Sequence, residues 1–417
     1  CSSDLDVNIS VSDGFRANIE RSANDDSKGR TFRNFLDYDL LDNETKALLQ
    51  LLYTEKTNLD ADLTVGFKGN PHMGSIVLNR LVDSPDFEYF VHNLTENDRV
   101  FIVSSIFGGT GAAGFPLVVK NIRQPDAKFT GKQNVLQKVA LGAVSVLPYF
   151  GVKPNPASAI DKNTFITKTK AALSYYDSVL TGVNAMYHIG DAVQKDYDNV
   201  EGAAAQVNDA HFVEVASALA IIDFMSKSNE ELRGSVVYKE FGTQQGNSLH
   251  VDFKSLGSRS RQILGKPLVK LFYSWRHWQN RLPKAVNEPA CVYTRGNPKT
   301  NSVKLEPTLL TSDFFNSNLR PFCQQFEEWL RQLAGNQVAF TPFNLQTAEL
   351  QQMVQNVQQK QKGFIFKSDK WDYKDFDTAL DEAEAQVGGL SAEQKLLSLY
   401  SIATEDIYND RIVDAMQ

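Results

Sequence analysis

Cysteine is scarce in this chain, with Cys1, Cys291 and Cys323 the only three in 417 residues. They form neither the even set of a disulfide scaffold nor a zinc pattern, and such usage suits a reducing cytoplasm. Histidine is sparse too, and His72, His188, His211 and His277 have no metal-ligand spacing. No run of 18 apolar residues exists, which rules out a helical membrane span. A formal net charge of −7 argues against nucleic-acid wrapping, which needs a basic face, so no direct nucleic-acid partner is expected. Neither a Ser-His-Asp order nor paired carboxylates can be argued from the sequence, and no internal repeat is visible. With 42% hydrophobic and 22% charged residues, the chain is long enough for two domains or one large one.

Glycine, by contrast, is concentrated where it counts. Val100-Phe-Ile-Val-Ser-Ser-Ile-Phe-Gly-Gly-Thr-Gly-Ala-Ala-Gly-Phe-Pro-Leu-Val-Val119 reads as a buried strand, a turn over Gly108 to Gly114, and a helix with Pro116 at its first position. Such a turn aims backbone N–H groups and a helix N-terminus at one spot, an arrangement suited to phosphate. Gly109-Thr-Gly111-Ala-Ala-Gly114 fits the G-x-G-x-x-G dinucleotide fingerprint. The acid that should hold a ribose about 20 residues on is missing. The next strand, Leu141 to Leu147, ends in Pro148-Tyr149, and Asp126 sits in a polar loop instead.

With Gly108 and Thr110 included, the segment Phe107-Gly-Gly-Thr-Gly-Ala-Ala-Gly114 resembles the phosphate loop of the FtsZ/tubulin superfamily. It departs from that loop at Phe107 and Ala113. Upstream, Gly66-Phe-Lys-Gly-Asn-Pro-His-Met-Gly74 is similar to the loop that covers the terminal phosphate in bacterial FtsZ, with Lys68, Gly69 and Asn70 in its centre. Taken alone the same residues make a surface turn. Downstream, His250-Val-Asp252-Phe-Lys-Ser255 resembles the N-x-D-x-x-[DE] loop that one subunit inserts into its neighbour's site. Asp252 matches the central aspartate, but Ser255 stands where the second acid belongs and cannot act as a base.

The resemblance implies an α/β fold: a tubulin/FtsZ-like nucleotide-binding domain over 31–206, a long central helix over 207–228, and a divergent, largely helical C-terminal region over 229–417. Residues 1–30 read as a polar leader. Cys1-Ser-Ser-Asp looks like a lipidated mature start, whereas the resemblance favours a fragment, because no first nucleotide loop precedes Gly66. The helix pattern around Phe212, Val215, Leu219 and Ile222 is apolar on most sides, as a helix buried between layers should be. The resemblance implies GTP or GDP with Mg2+, held by Lys68, Gly69, Asn70, Gly108, Gly109, Thr110, Gly111, Ala112 and Gly114. Asn208 is the nearest match to the guanine-reading asparagine, though it reads equally well as a helix cap. It further implies head-to-tail self-assembly, with Asp252 completing the neighbour's site. The alternative is a non-hydrolysing scaffold that recruits another protein through its C-terminal helices. Those helices are expected over 260–281, 313–334, 347–361, 376–387 and 391–407, with strands near 338–341 and 363–366. Tyr273, Trp275 and Trp278 read as packing residues.

Overall fold

The computed structural model describes residues 31–53, 58–63, 66–67, 69–155, 162–193, 195–200, 207–242, 249–357 and 371–413. The leader, Lys68 and the strand expected at 363–366 lie outside these residues. Two units separate: the described residues of Cys1–Asn208 with Val213–Asn247, and those of Asp209–Phe212 with Ser248–Gln417.

In the first unit the strands are β1 (Arg99–Ser105), β2 (Ala140–Val146), β3 (Gly151–Val152), β4 (Ala185–Ile189), β5 (Asp196–Tyr197) and β6 (Val237–Phe241). All pair in parallel. One sheet has the order β1-β2-β4-β6, and β3 pairs separately with β5. Central β2 is an apolar run buried along most of its length, as a parallel strand covered on both faces should be. The described α-helices of five residues or more are α1 (Asn43–Leu52), α2 (Pro71–Leu78), α3 (Pro85–Asn93), α4 (Gly109–Arg123), α5 (Gln133–Lys138), α6 (Lys162–Val179), α7 (Phe212–Ser226) and α8 (Asn229–Arg233). Phe115, Val119 and Ile122 of α4 and Tyr176 of α6 join Leu141, Ala143 and Met186 in one core. On the other face Phe224 of α7 packs on Phe101, above Gly142, where an added methyl would come within 2.8 Å of Phe224.

The sequence reading is corrected at several points. The central helix expected over 207–228 starts only at Phe212. It returns the chain to β6, the fourth strand of the same sheet, and so acts as an ordinary crossover. Residues 229–242 consequently belong with the first sheet. Asp42 caps α1, but no residue of that helix is buried, and Leu48, Leu51 and Leu52 face outward. Two arginines satisfy carbonyls that helix ends leave unpaired. Arg99 donates to the carbonyls of Phe224, Met225 and Lys227, and Arg123 to those of Gly182, Leu136 and Gln137.

The second unit is mainly helical: α9 (Ser258–Asn280), α10 (Arg320–Ala334), α11 (Tyr373–Ala383) and α12 (Ala392–Ile407), with β7 (Leu249–Val251) parallel to β8 (Val338–Phe340). Cys323, Phe326, Leu330 and Leu333 form the buried stripe of α10. Tyr273, Trp275 and Trp278 are buried in α9, as expected. The glutamine-rich helix expected over 347–361 is absent from its described part, which holds only a short turn, Leu350–Gln352. There the Leu350 carbonyl accepts from Tyr273, Phe343 bridges Val354, and Asn356 takes a positive φ of 58°, so the backbone is committed elsewhere.

One buried carboxylate organises this unit. Asp377 of α11 accepts from Arg281 at 2.6 Å, from Tyr293 at 3.0 Å and from the ring of His277 at 3.1 Å. The other His277 nitrogen lies 2.7 Å from the Tyr400 hydroxyl of α12. A neutral ring with Nε2–H toward Asp377 and Nδ1 accepting from Tyr400 satisfies every partner. Burial holds the pKa of His277 below the ordinary histidine value, against a weaker pull from Asp377. Burial pushes the Asp377 carboxyl up, but bonds from His277 and Arg281 outweigh it and keep the carboxyl below its usual range. Because the folded state disfavours protonated His277, the unfolded chain binds more protons below about pH 6.5. Stability of this unit is therefore full above that pH and is lost as pH falls toward the depressed native value. Urea unfolding across pH 5 to 7 should show this slope, and His277→Gln should flatten it.

Candidate functional site

The glycine segment folds differently from its sequence reading. Gly108 is extended, at φ −91° and ψ 171°, and serves as N-cap of α4 without a side-chain acceptor. Gly109, Thr110 and Gly111 are already helical, so the helix begins at Gly109 and Pro116 lies in its interior. A proline there cannot bond the carbonyl four residues back, which is that of Ala112. The Tyr176 hydroxyl of α6 takes that carbonyl at 3.0 Å. The Tyr176 phenol is buried, and burial pushes its pKa far above the ordinary value.

Gly111 is required by contact: a methyl there would lie 2.2 Å from the Ser105 carbonyl oxygen at the end of β1. Gly109 faces the upstream loop, and a methyl on it would meet the Phe67 side chain at 2.9 Å and the Asn70 nitrogen at 3.0 Å. On Gly74 a methyl would meet Ala113 and the Gly109 carbonyl, both at 2.9 Å. Gly66 and Gly69 adopt positive φ, 87° and 71°, which favours glycine. The Cβ position of Gly66 is 3.4 Å from the Thr110 hydroxyl. The two glycine loops singled out in the sequence thus pack against each other where β1 passes into α4. Gly114 points toward Leu78 instead, so it is a helix-packing residue.

Asn70 is committed to structure. Its Oδ1 accepts from the His72 and Met73 amides, capping α2 ahead of Pro71, and its Nδ2 donates to Asn58 at 2.9 Å. The Gly69 carbonyl accepts from Lys168 of α6 at 2.5 Å. Between α2, α4 and α6 lies a cavity of about 720 Å³. Ala112, Pro116 and Leu117 form one wall and Ala171, Ala172 and Tyr175 another, while Asn58, Asn70, His72, Ser75 and Lys168 supply its polar surface. Lys168, Ala172 and Tyr175 went unnoticed in the sequence, and Ala171 counted only as part of a helical pattern; their i, i+3, i+4, i+7 spacing on α6 is the signal that marks a shared face. Beside the loop, Phe107 packs with Tyr149, Phe150 and Phe165 at ring separations of 6.2, 5.5 and 5.4 Å. Burial, then the Glu214 carboxylate, pushes the Tyr149 phenol up to about 12.

The remaining predicted site residues fall elsewhere. Asn208 lies in the segment preceding α7, outside any helix. Asp252 belongs to the second unit. Its Oδ1 accepts from the Ser255 amide at 2.8 Å and hydroxyl at 2.7 Å, closing a turn ahead of α9, and its Oδ2 accepts from Asn356 at 2.6 Å. Burial raises its pKa, but the bonds from Asn356 and Ser255 prevail and hold it low. Among the described residues no cluster of three or more His, Cys, Asp or Glu could hold a metal ion. No described helix is long and apolar enough to cross a membrane. Cys291 and Cys323 are buried free thiols, with pKa values pushed up to about 11 and about 12, which makes them poor nucleophiles.

No protein-family model, curated protein or solved structure matches this chain.

The pairing of Pro116 with Tyr176 gives a direct test. Tyr176→Phe should cost about 1–2 kcal/mol in urea unfolding, because it leaves the Ala112 carbonyl buried without a donor. In a Pro116→Ala background the restored amide supplies that donor, and most of the cost should vanish.

Proposed function

We propose that the first unit binds a phosphorylated ligand at the junction of its two glycine loops, with a purine nucleotide, GTP or GDP with Mg2+, as the leading candidate. One observation carries this reading. A 15-residue helix starts directly after a parallel strand, behind a glycine N-cap with no side-chain acceptor, while a second glycine loop packs against its first turn. The first N–H groups of such a helix have no partner within it, and its dipole favours negative charge there. The amides of Gly109, Thr110 and Gly111 would meet the phosphate, with the Thr110 hydroxyl beside them. The metal would supply charge neutralisation between phosphate oxygens.

Two readings of the consequence differ in Asp252. In the tubulin/FtsZ-like reading, copies assemble head to tail and Asp252 of one meets the phosphates of the next, giving turnover coupled to assembly. In the second, the protein binds nucleotide without hydrolysing it and serves as a scaffold whose helical second unit engages a protein partner. The bonds of both Asp252 oxygens within their own unit favour the second reading, as does Ser255 in place of an acid.

Gly108→Asp tests the binding site without threatening the fold. Position 108 has an extended backbone open to any residue, and an added Cβ meets only the Ser105 hydroxyl at 3.4 Å. An aspartate there caps α4, so stability should hold or rise by a few tenths of a kcal/mol. Its charge occupies the place of the phosphate, so GTP affinity measured by calorimetry should fall at least about tenfold, or 1.4 kcal/mol. Equal GTP binding by both proteins would remove the site. For Asp252→Ala, the scaffold reading expects a stability loss of about 1–2 kcal/mol from the broken turn. It expects no GTP turnover in either protein at any concentration; turnover in the parent that rises with concentration would restore the assembly reading.

A further inference from the structure

We propose that the second unit closes a covalent cross-link on itself, an amide bond between the side chains of Lys395 and Asn297. The bond is independent of the nucleotide reading and stands if that reading fails. Three residues from distant parts of the chain meet at one spot. Lys395, near the start of α12, is fully buried. Glu384, in the short turn that follows α11, is 4% exposed. Asn297 lies in the connection between α9 and α10 and is only partly buried.

The lysine head sits within the Asn297 loop. Its Nζ donates to the carbonyls of Arg295 at 2.8 Å and Val303 at 2.7 Å, which flank the bridge pairing Asn297 with Ser302. Oε1 of Glu384 is 3.7 Å from the same Nζ. The other oxygen of that carboxylate, Oε2, accepts from Asn297 Nδ2 at 3.2 Å. One carboxylate therefore stands between the amine and the nitrogen that the amine displaces. Desolvation makes a lysine amine nucleophilic, and burial lowers the pKa of Lys395 against the pull of Glu384. The Asn297 carbonyl oxygen accepts from the Lys299 amide at 3.0 Å, a donor placed for the negative charge that builds there during attack. The unreacted state is costly as well, since Oε1 of Glu384 is buried with no hydrogen-bond partner among the described residues.

The step balances without a co-reactant. The bond from Lys395 Nζ to Asn297 Cγ forms, and the bond from Cγ to Nδ2 breaks. Glu384 passes two protons from Nζ to Nδ2, which leaves as ammonium. Nothing is oxidised or reduced, and the buried positive charge departs with the leaving group. Partial exposure of Asn297 gives that group a way out. The product staples the loop to α12, beside the existing bond from the Gly389 amide to the Asn301 carbonyl at 2.9 Å.

Mass spectrometry of the full chain, denatured after incubation in the folded state, tests this directly. The intact mass should be one ammonia below that of the sequence, and a tryptic digest should contain a branched peptide joining Asn297 to Lys395. Asn297→Ala and Lys395→Met should each show the full mass of their own sequences. Glu384→Gln keeps the amine and the amide but removes the proton carrier, so the branched peptide should be lost from it. A parent chain that keeps its full mass after prolonged incubation overturns the proposal, whether or not any variant folds. So does an ammonia loss that persists in Asn297→Ala or maps to another residue. An undiminished branched peptide in Glu384→Gln would overturn the step as written.

Discussion

Helix α4 runs so close to the end of β1 that position 111 has no room for a side chain, and the architecture of the first unit follows from that approach. A methyl at 111 would overlap the Ser105 carbonyl, so glycine alone lets the helix seat directly on the strand. Once α4 is seated, Gly109 faces outward toward Phe67 and the amides of the upstream loop, and Gly74 lets α2 lie against α4. Three glycines are therefore accounted for by packing alone. Glycine content is weak evidence for a ligand here; the uncapped start of α4 is the stronger ground, because packing does not explain it.

Strands β2 and β4 were legible from the sequence because they are buried runs, and burial on both faces leaves a plain apolar signature; β1, expected to be buried, lies at an edge of the sheet with its residues only partly covered and Val103 exposed. Strand β6 escaped notice for the opposite reason. It lies at an edge of the sheet, with Tyr238 largely exposed and Lys239 and Glu240 beside it, so its residues read as surface. Missing it turned a crossover helix into a domain linker. The glycine segment was located correctly but given the wrong backbone: Gly109 to Gly111 are helical and seated close against Phe67 and Ser105, a closeness that local propensity cannot register. The partner of the second Asp252 oxygen was hidden in a similar way: Asn356 lies over a hundred residues further along the chain. In the glutamine-rich stretch, good helix formers yielded to a bridge and a bond from Tyr273 that only the folded unit supplies.

The second unit carries a different kind of constraint. Asp377 collects bonds from His277 and Arg281 at the end of α9 and from Tyr293 beyond it, and Arg281 is its permanent countercharge. Burying such a pair is not in itself strongly stabilising, because desolvation offsets the attraction. Its effect is selective: arrangements of α9 and α11 that fail to bring all the donors to this carboxylate leave an uncompensated charge, and Tyr400 of α12 is tied in only through His277. Helices with wide apolar faces could pack in several registers, and the carboxylate penalises the wrong ones.

The link between Pro116 and Tyr176 makes sequence change directional. A lineage that first replaces Pro116 regains an amide for the Ala112 carbonyl, after which the Tyr176 hydroxyl is dispensable and can drift to phenylalanine. The reverse order passes through a chain whose buried carbonyl has neither donor. Divergent copies of this protein should hence retain the tyrosine wherever the proline persists, and the proline should be the first of the two to go.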